Sequence, residues 1–272
     1  MSFYTSLTGL KNAQTQLGVI SHNIANAETI GFKKSRASFS DIVAGSAFSN
    51  PKMIQGIGAT VEAITQSHTL GPIDQTGSAL DLAVNGTGFF TTVDPNTAQT
   101  FYTRNGGFSM DDQGFVLDGD NHRLQVFPTD TAGTVTSTTP VDLQVPTANT
   151  AVPPADFAGL TITNNGNIQV SFADGSSEVV GKVALATFIS PSGLLQVGST
   201  NWQATGLSGT AAYGEPNSGA YGGVLSGSLE RSNVDIAEEL VGLITAQRYF
   251  QANAKAIDTA TQISQAIMNL RT

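Results

Sequence analysis

His22, His68 and His122 are the three histidines of the sequence, and each stands alone. None has the i, i+4 partner or the adjacent carboxylate spacing of a metal site. Asp111, Asp112, Asp118 and Asp120 gather carboxylates as a calcium loop does. They lack the alternating ligand spacing and closing Glu of such a loop, so solvated turn carboxylates are expected. Gly86-Thr87-Gly88 runs straight into Phe89, Phe90 and Thr91. The third glycine of a dinucleotide cradle is missing, and a tight turn into a strand is expected. No G-x-S-x-G or Walker pattern occurs, and cysteine is absent. That excludes a thiol nucleophile, a disulfide and a Cys–metal site. Lys33, Lys34 and Arg36 form too short a basic group for nucleic acid, and predict a solvated face or an intersubunit contact. The residues point to no catalytic centre, no cofactor and no metal.

What remains is the framework, and its two ends differ from its middle. Phe3, Leu7, Leu10, Leu17 and Ile24 lie at heptad-like steps, with Gln14 and Ser21 in the missing positions and Ala13 and Ile20 beside them. This predicts a helix that stops between Asn26 and Gly31. Near the other end Ser232-Asn233 offers a cap, and Asp235, Glu238 and Glu239 suit the positive start of a helix. Ile236, Leu240, Leu243, Phe250, Ile257, Ile263, Ile267 and Leu270 then form a stripe in a segment without proline, which predicts a helix running to the chain end. Neither stripe can be buried by its own helix. Each helix either packs on the central domain or pairs with the other as a coiled-coil-like layer with contacts between chains. The heptad spacing favours the second.

The middle reads as antiparallel β structure. Leu80–Val84, Phe89–Val93, Thr100–Arg104, Phe115–Leu117 and Arg123–Phe127 are strand candidates separated by Asp-, Asn- and Gly-rich turns. Leu160–Thr163, Ile168–Phe172 and Glu178–Phe188 follow, linked by Asn164-Asn165-Gly166 and Asp174-Gly175. A sandwich or distorted barrel is expected. Residues 129–160 read as a Thr/Pro-rich excursion, and 201–227 as an irregular Gly/Ser-rich stretch with isolated aromatics. The fold class is therefore α+β and multi-domain. Residues 1–30 and 231–272 form the helical inner domain, 31–70 a linker or junction, and 71–230 the β-rich outer domain.

Charge agrees with this division. Over 272 residues only 12% are charged, about half the usual ~25%, and the net charge is −9. Residues 53–229 carry fourteen acids against three bases, whereas residues 1–52 carry five bases against two acids. An acidic body excludes a nucleic-acid binder. A sparsely charged surface favours self-association. No apolar run approaches the ~20 residues of a membrane span. Met1–Ser6 has neither the basic start nor the apolar stretch of a secretory signal, which predicts a cytoplasmic chain or export without a cleaved signal.

Several blocks together resemble a known family. Val19-Ile20-Ser21-His22-Asn23 continuing into Ile24–Lys33 (IANAETIGFK) is similar to the N-terminal signature of the bacterial flagellar rod and hook axial proteins. Asn23, Asn26, Thr29, Gly31, Phe32 and Lys33 carry it and mark the junction between helix and β domain. Leu80–Phe90 (LDLAVNGTGFF), Phe101–Phe108 (FYTRNGGF) with Asp112–Leu117, and Ser232–Leu240 with Ala246–Arg248 and Asn253–Lys255 resemble further family blocks, in family order. Ser38–Asp41 and Gln251–Lys255 look like hook sequence, although the mid-chain outer domain of hooks is short here and the length is closer to a distal-rod protein.

The resemblance implies a structural subunit that polymerises into a tube, with terminal helices as the inner layer and the β domain outside. It implies a homo-polymer, with rod, hook–filament junction, hook cap and type III export apparatus as partners, no cofactor and no nucleic acid. Within the family the resemblance is to the hook, a flexible joint passing motor torque to the filament, with the distal rod as the alternative. The competing class is a secreted β-rich enzyme or carbohydrate-binding module using exposed aromatics and carboxylate pairs.

Overall fold

The structure is a computed structural model and describes residues 2–44, 55–130, 133–148 and 155–269. They fall into two compact units. Unit 1 takes residues 1–27, 34–67 and 234–272; unit 2 takes residues 28–33 and 68–233.

Unit 1 contains helix α1 (Ser2–Ala25), strands β1 (Ser35–Ala44) and β2 (Gln55–Gln66), and helix α2 (Ile236–Asn269). The two strands pair antiparallel from Ser35↔Gln66 to Ala44↔Gln55, with two bulges. This hairpin lies in the 31–70 segment expected as a linker. Its sequence mixes Gly, Ser and Thr with single apolar residues, so the period-2 signal is weak. At the end of α1 the Asn26 side chain donates to the His22 carbonyl at 2.9 Å, satisfying a last-turn acceptor. The cap of α2 is Asp235, not Ser232-Asn233: its Oδ1 accepts from the Ala237 and Glu238 amides at 2.8 and 3.2 Å. Asn233 instead donates to Thr69 Oγ1 at 2.9 Å.

Unit 2 is antiparallel throughout its described ladders. Thirteen described strands join one sheet. Its main path runs Phe157–Ile162, Asn167–Phe172, Ser177–Val183, Arg123–Phe127, Phe89–Val93, Thr100–Thr103, Asn201–Gln203 and Leu195–Gly198. Two smaller pairs join Leu82–Asn85 to Gly223–Ser226 and Ile73–Gln75 to Ser228–Glu230. Successive side chains of a strand point to opposite faces. Phe90 therefore enters a large aliphatic core with Leu124, Ile168 and Val183, while Phe89 enters an aromatic cluster with Tyr102, Phe188 and Trp202.

Two segments expected as irregular contribute to these cores. Leu143 and Val145, inside the Thr/Pro-rich excursion, are buried in the first. Trp202, inside the Gly/Ser-rich stretch, is fully buried in the second. Residues 131–132 and 149–154 of the excursion lie outside the described residues.

Candidate functional site

The α1–α2 pair sets out the first candidate surface. The helices run antiparallel: a Cβ on Gly9 would lie 2.6 Å from Asn253 Oδ1, and one on Gly242 would lie 3.4 Å from Ile20. Each glycine therefore leaves room for a side chain of the other helix, Asn253 against Gly9 and Ile20 against Gly242. Ala13, Ile20 and Asn23 are the buried residues of α1, and Glu239 and Ala246 those of α2.

The expected stripe sits beside this seam. Leu7, Leu10, Leu17 and Ile24 are half-buried, as are Leu243, Phe250 and Ile257. Phe3, Ile236, Leu240, Ile263 and Ile267 are exposed, and Leu270 lies outside the described residues. Val241, Ile244 and Tyr249 add to the exposed apolar surface of α2, and Phe39, Ile42, Val43 and Ile64 to that of the hairpin. An open groove of about 710 Å³ lies among α1, β1 and the start of α2, lined by Val19, Ile20, Phe39, Lys34 and Glu238.

Asn23 ties unit 1 together. Its Nδ2 donates to the Ser35 carbonyl at 2.9 Å and to Glu239 Oε2 at 3.2 Å, while its Oδ1 accepts from the Ser35 amide at 2.9 Å. One buried amide thus joins α1, β1 and α2. Lys34 Nζ reaches Glu238 and Glu239 at 3.0 and 2.9 Å. Burial alone would lower the Lys34 ammonium pKa, but hydrogen bonds to Glu239 and Glu238 raise it above its ordinary value.

Lys33 behaves in the opposite way and corrects the expectation of a solvated or intersubunit basic face. Its ammonium is fully buried in unit 2, 2.5 Å from Glu230 Oε1, and donates to the Thr69 carbonyl at 2.8 Å. The same Oε1 accepts from the Gly71 amide at 2.9 Å, and Oε2 accepts from Arg104 at 3.2 Å. Arg104 also donates to the Gly86 carbonyl at 2.9 Å and lies over the Phe89 ring at 5.2 Å. Two buried cations thus share one buried carboxylate. Burial pushes the Lys33 pKa down, with Glu230 opposing it.

The remaining junction residues hold this arrangement. Phe32 is buried, Asn26 and Thr29 are half-buried, and the Gly31 amide donates to the Glu230 carbonyl at 2.8 Å. Gly31 has φ +69°, and a Cβ there would come within 2.5 Å of the Asn105 amide nitrogen. Only glycine meets both demands.

Of the three histidines, His68 and His122 are absorbed into structure, while His22 lies exposed on α1. His68 packs edge-on against Phe89 and Trp202. Burial, followed by the nearby Lys33 and Arg104 charges, lowers its pKa from 6.5 to about 4. His122 stacks on Phe101 at 4.4 Å, and its Nδ1 lies 3.0 Å from Asp118 Oδ2, a partner the sequence reading did not give it. Asp118 Oδ1 accepts from the Asp120 and His122 amides, both at 2.9 Å, as a turn carboxylate does. Among the described residues no group of three or more His, Asp or Glu could hold a metal ion.

Comparisons with known proteins cover nearly the whole chain. Residues 3–33 match the family described as flagella basal body rod protein, 83–170 the flagellar hook protein FlgE/F/G D1 domain, and 225–270 the flagellar basal body rod FlgEFG protein C-terminal. The flagellar basal-body rod protein FlgG of Bacillus subtilis is 36% identical, over 99% of this chain and 98% of its own. The chain belongs to the flagellar rod and hook protein family. FlgG of Caulobacter vibrioides is 34% identical over 98% of both chains, and the hook protein FlgE of Salmonella typhimurium 28% over the whole of both. The first and last family matches cover α1 with the junction, and α2. Lys33 and Glu230, which meet in the buried ion pair, fall inside these two matches. As in its family, the chain is a structural component of the flagellar axis built from terminal helices and a β-rich body. Among the described residues no helix is long and apolar enough to cross a membrane.

Proposed function

We propose that the chain is the subunit of a flexible flagellar hook, polymerising into a tube that passes motor torque to the filament. One observation carries the polymer: the α1–α2 pair buries few of its large apolar residues and leaves Ile236, Leu240, Val241, Ile244, Ile263 and Ile267 exposed. Fully burying such a side chain contributes roughly 1.5–3 kcal/mol, so half-exposed ones still hold about 1 kcal/mol each for contacts between subunits. Each contact recurs in every copy. The few charges of the chain leave the polymer surface free to exchange weak contacts as it bends. Ser38–Asp41 and Gln251–Lys255, which resemble hook sequence, lie on β1 and α2 of the tube-forming unit.

On this reading the chain leaves the cell through the type III export apparatus without a cleaved signal. It adds below a hook cap, and meets rod and junction proteins at the two ends of its polymer.

The distal rod is the second reading. It is supported by the higher identity of rod-named relatives, whose matches run over 282 and 281 aligned residues against 411 for the hook protein. Antibody labelling of purified hook–basal bodies separates the two. Label along the curved segment supports the hook, and label confined to the straight shaft supports the rod. Label on neither refutes both.

A further inference from the structure

Unit 2 carries a surface that the junction and the helices leave unexplained. No Asp, Glu, Lys or Arg occurs between Lys182 and Glu215. Residues 68–233 otherwise hold fourteen acidic and four basic residues, so this gap of 32 residues is several times the average spacing between charges. At its tip Ile189 is 93% exposed and Leu207 83% exposed. Beside them runs Leu195–Gly198, the strand that ends the sheet path, with Leu195 and Val197 also exposed.

The tip is fixed. The Ser190 amide donates to the Ser208 carbonyl at 3.3 Å, Thr205 Oγ1 to the Gly193 carbonyl at 2.6 Å, and the Thr205 amide to Ser208 Oγ at 2.9 Å. Ser208, the residue after Leu207, is fully buried and anchors the loop from inside. Two large apolar side chains are thus presented on stitched backbone. Such an arrangement loses little entropy on binding.

We infer that this charge-free tip, centred on Ile189 and Leu207, is a contact surface for unit 2 of a second copy of the chain. Charge selects that occupant. Two copies share the same acidic body and repel wherever carboxylates face each other. Residues 183–214 themselves place no carboxylate in such a contact, so an identical acidic partner meets less repulsion there than on the rest of unit 2. A basic partner would gain nothing here and would dock on the acidic remainder. The edge strand beside the tip offers the same partner backbone pairing. A tip that meets a different patch on the next copy makes a heterologous contact, which generates a helical polymer when its rotation does not close into a ring.

The inference rests on the proposed polymerisation, and the experiment separates the two. Purified full-length chain is concentrated, and tubes are scored by sedimentation and electron microscopy. Absence of tubes from unaltered chain overturns the polymer reading itself. If tubes form, Ile189→Asp with Leu207→Asp is expected to raise the critical concentration by about tenfold or more, a shift equivalent to about 1.4 kcal/mol per contact. Gln113→Glu with Thr139→Glu adds the same charge at other exposed sites of unit 2 and is expected to leave it unchanged. Equal assembly by both pairs refutes the tip. Because the chain has no cysteine, Leu207→Cys carries a photo-crosslinker at one place. Adducts that join position 207 to unit 2 of another copy are expected in tubes. Adducts to unit 1 alone, or none, overturn the assignment.

Discussion

Glu230 neutralises two buried cations, so its loss should cost far more than the loss of Lys33. Glu230→Gln keeps the shape and removes the anion. Lys33 and Arg104 then face each other without charge compensation, and removal of one partner from a buried pair costs about 3–5 kcal/mol. Lys33→Met leaves Arg104 and Glu230 as a balanced pair, with Glu230 still accepting from the Gly71 amide at 2.9 Å. What it forfeits is one of two donors to the exposed Thr69 carbonyl, which keeps Asn233 Nδ2 at 3.2 Å, a loss of about 0.5–1.5 kcal/mol. Release from the cost of burying an ammonium offsets part of that, giving a net of about 0–1 kcal/mol. In a body of this size the two changes correspond to a fall in Tm of about 10 °C against roughly 4 °C or less. Trp202 is the sole tryptophan and is fully buried in unit 2, so its fluorescence follows this unit alone. Thermal unfolding of both variants, read at Trp202, gives the comparison. If Lys33→Met costs as much as Glu230→Gln, the account of two cations on one carboxylate is wrong.

Gly31→Ala places a methyl within 2.5 Å of Asn105 N at φ +69°, and is expected to destabilise unit 2 by at least about 2 kcal/mol in denaturant unfolding; an unchanged midpoint contradicts the fit. His68 titrates near 6.5 when unfolded and at about 4 when folded, so the unfolded state binds the extra proton between these values. Stability should therefore be complete above the unfolded value and fall with pH towards the folded one, by at most roughly 3 kcal/mol. A matching slope in His68→Leu would falsify the assignment. Ile257→Asp puts a carboxylate against the helix pair and is expected to abolish tubes while leaving the Trp202 transition in place. Loss of that transition would show α2 to be needed by unit 2.

The β body was the most legible part of the chain. Phe89–Val93 and Arg123–Phe127 have the observed bounds, because alternating apolar residues and Asp/Gly turns are local signals. The β1–β2 hairpin was missed because its strands carry little burial to create alternation. The helices were legible but their seam was not. Large residues such as Leu7 and Leu17 drew the expected stripe, whereas the pair closes one position away on Ala13, Ile20 and Asn23. Gly9 with Ala13, and Gly242 with Ala246, were the available hint, each a small pair at a spacing of four. Lys33 stood in a basic run and read as part of a solvated face or an intersubunit contact. Its partner is 197 residues away, and no local pattern announces a contact at that distance. Trp202 was misread for a similar reason: Gly and Ser around it imply a loop, and its burial comes from distant Phe89 and Phe188.

The backbone passes from one unit to the other at four places, after residues 27, 33, 67 and 233. Most two-domain chains have a single tether, and one protease cut there separates them. Here any one cut at a crossing leaves three covalent connections. A mechanical load passing between the units is likewise divided among four backbones instead of falling on one. For a subunit proposed to work under continuous twisting, that redundancy sets a failure mode. Damage at one crossing should weaken the part without severing it, and a nicked subunit should stay in the polymer.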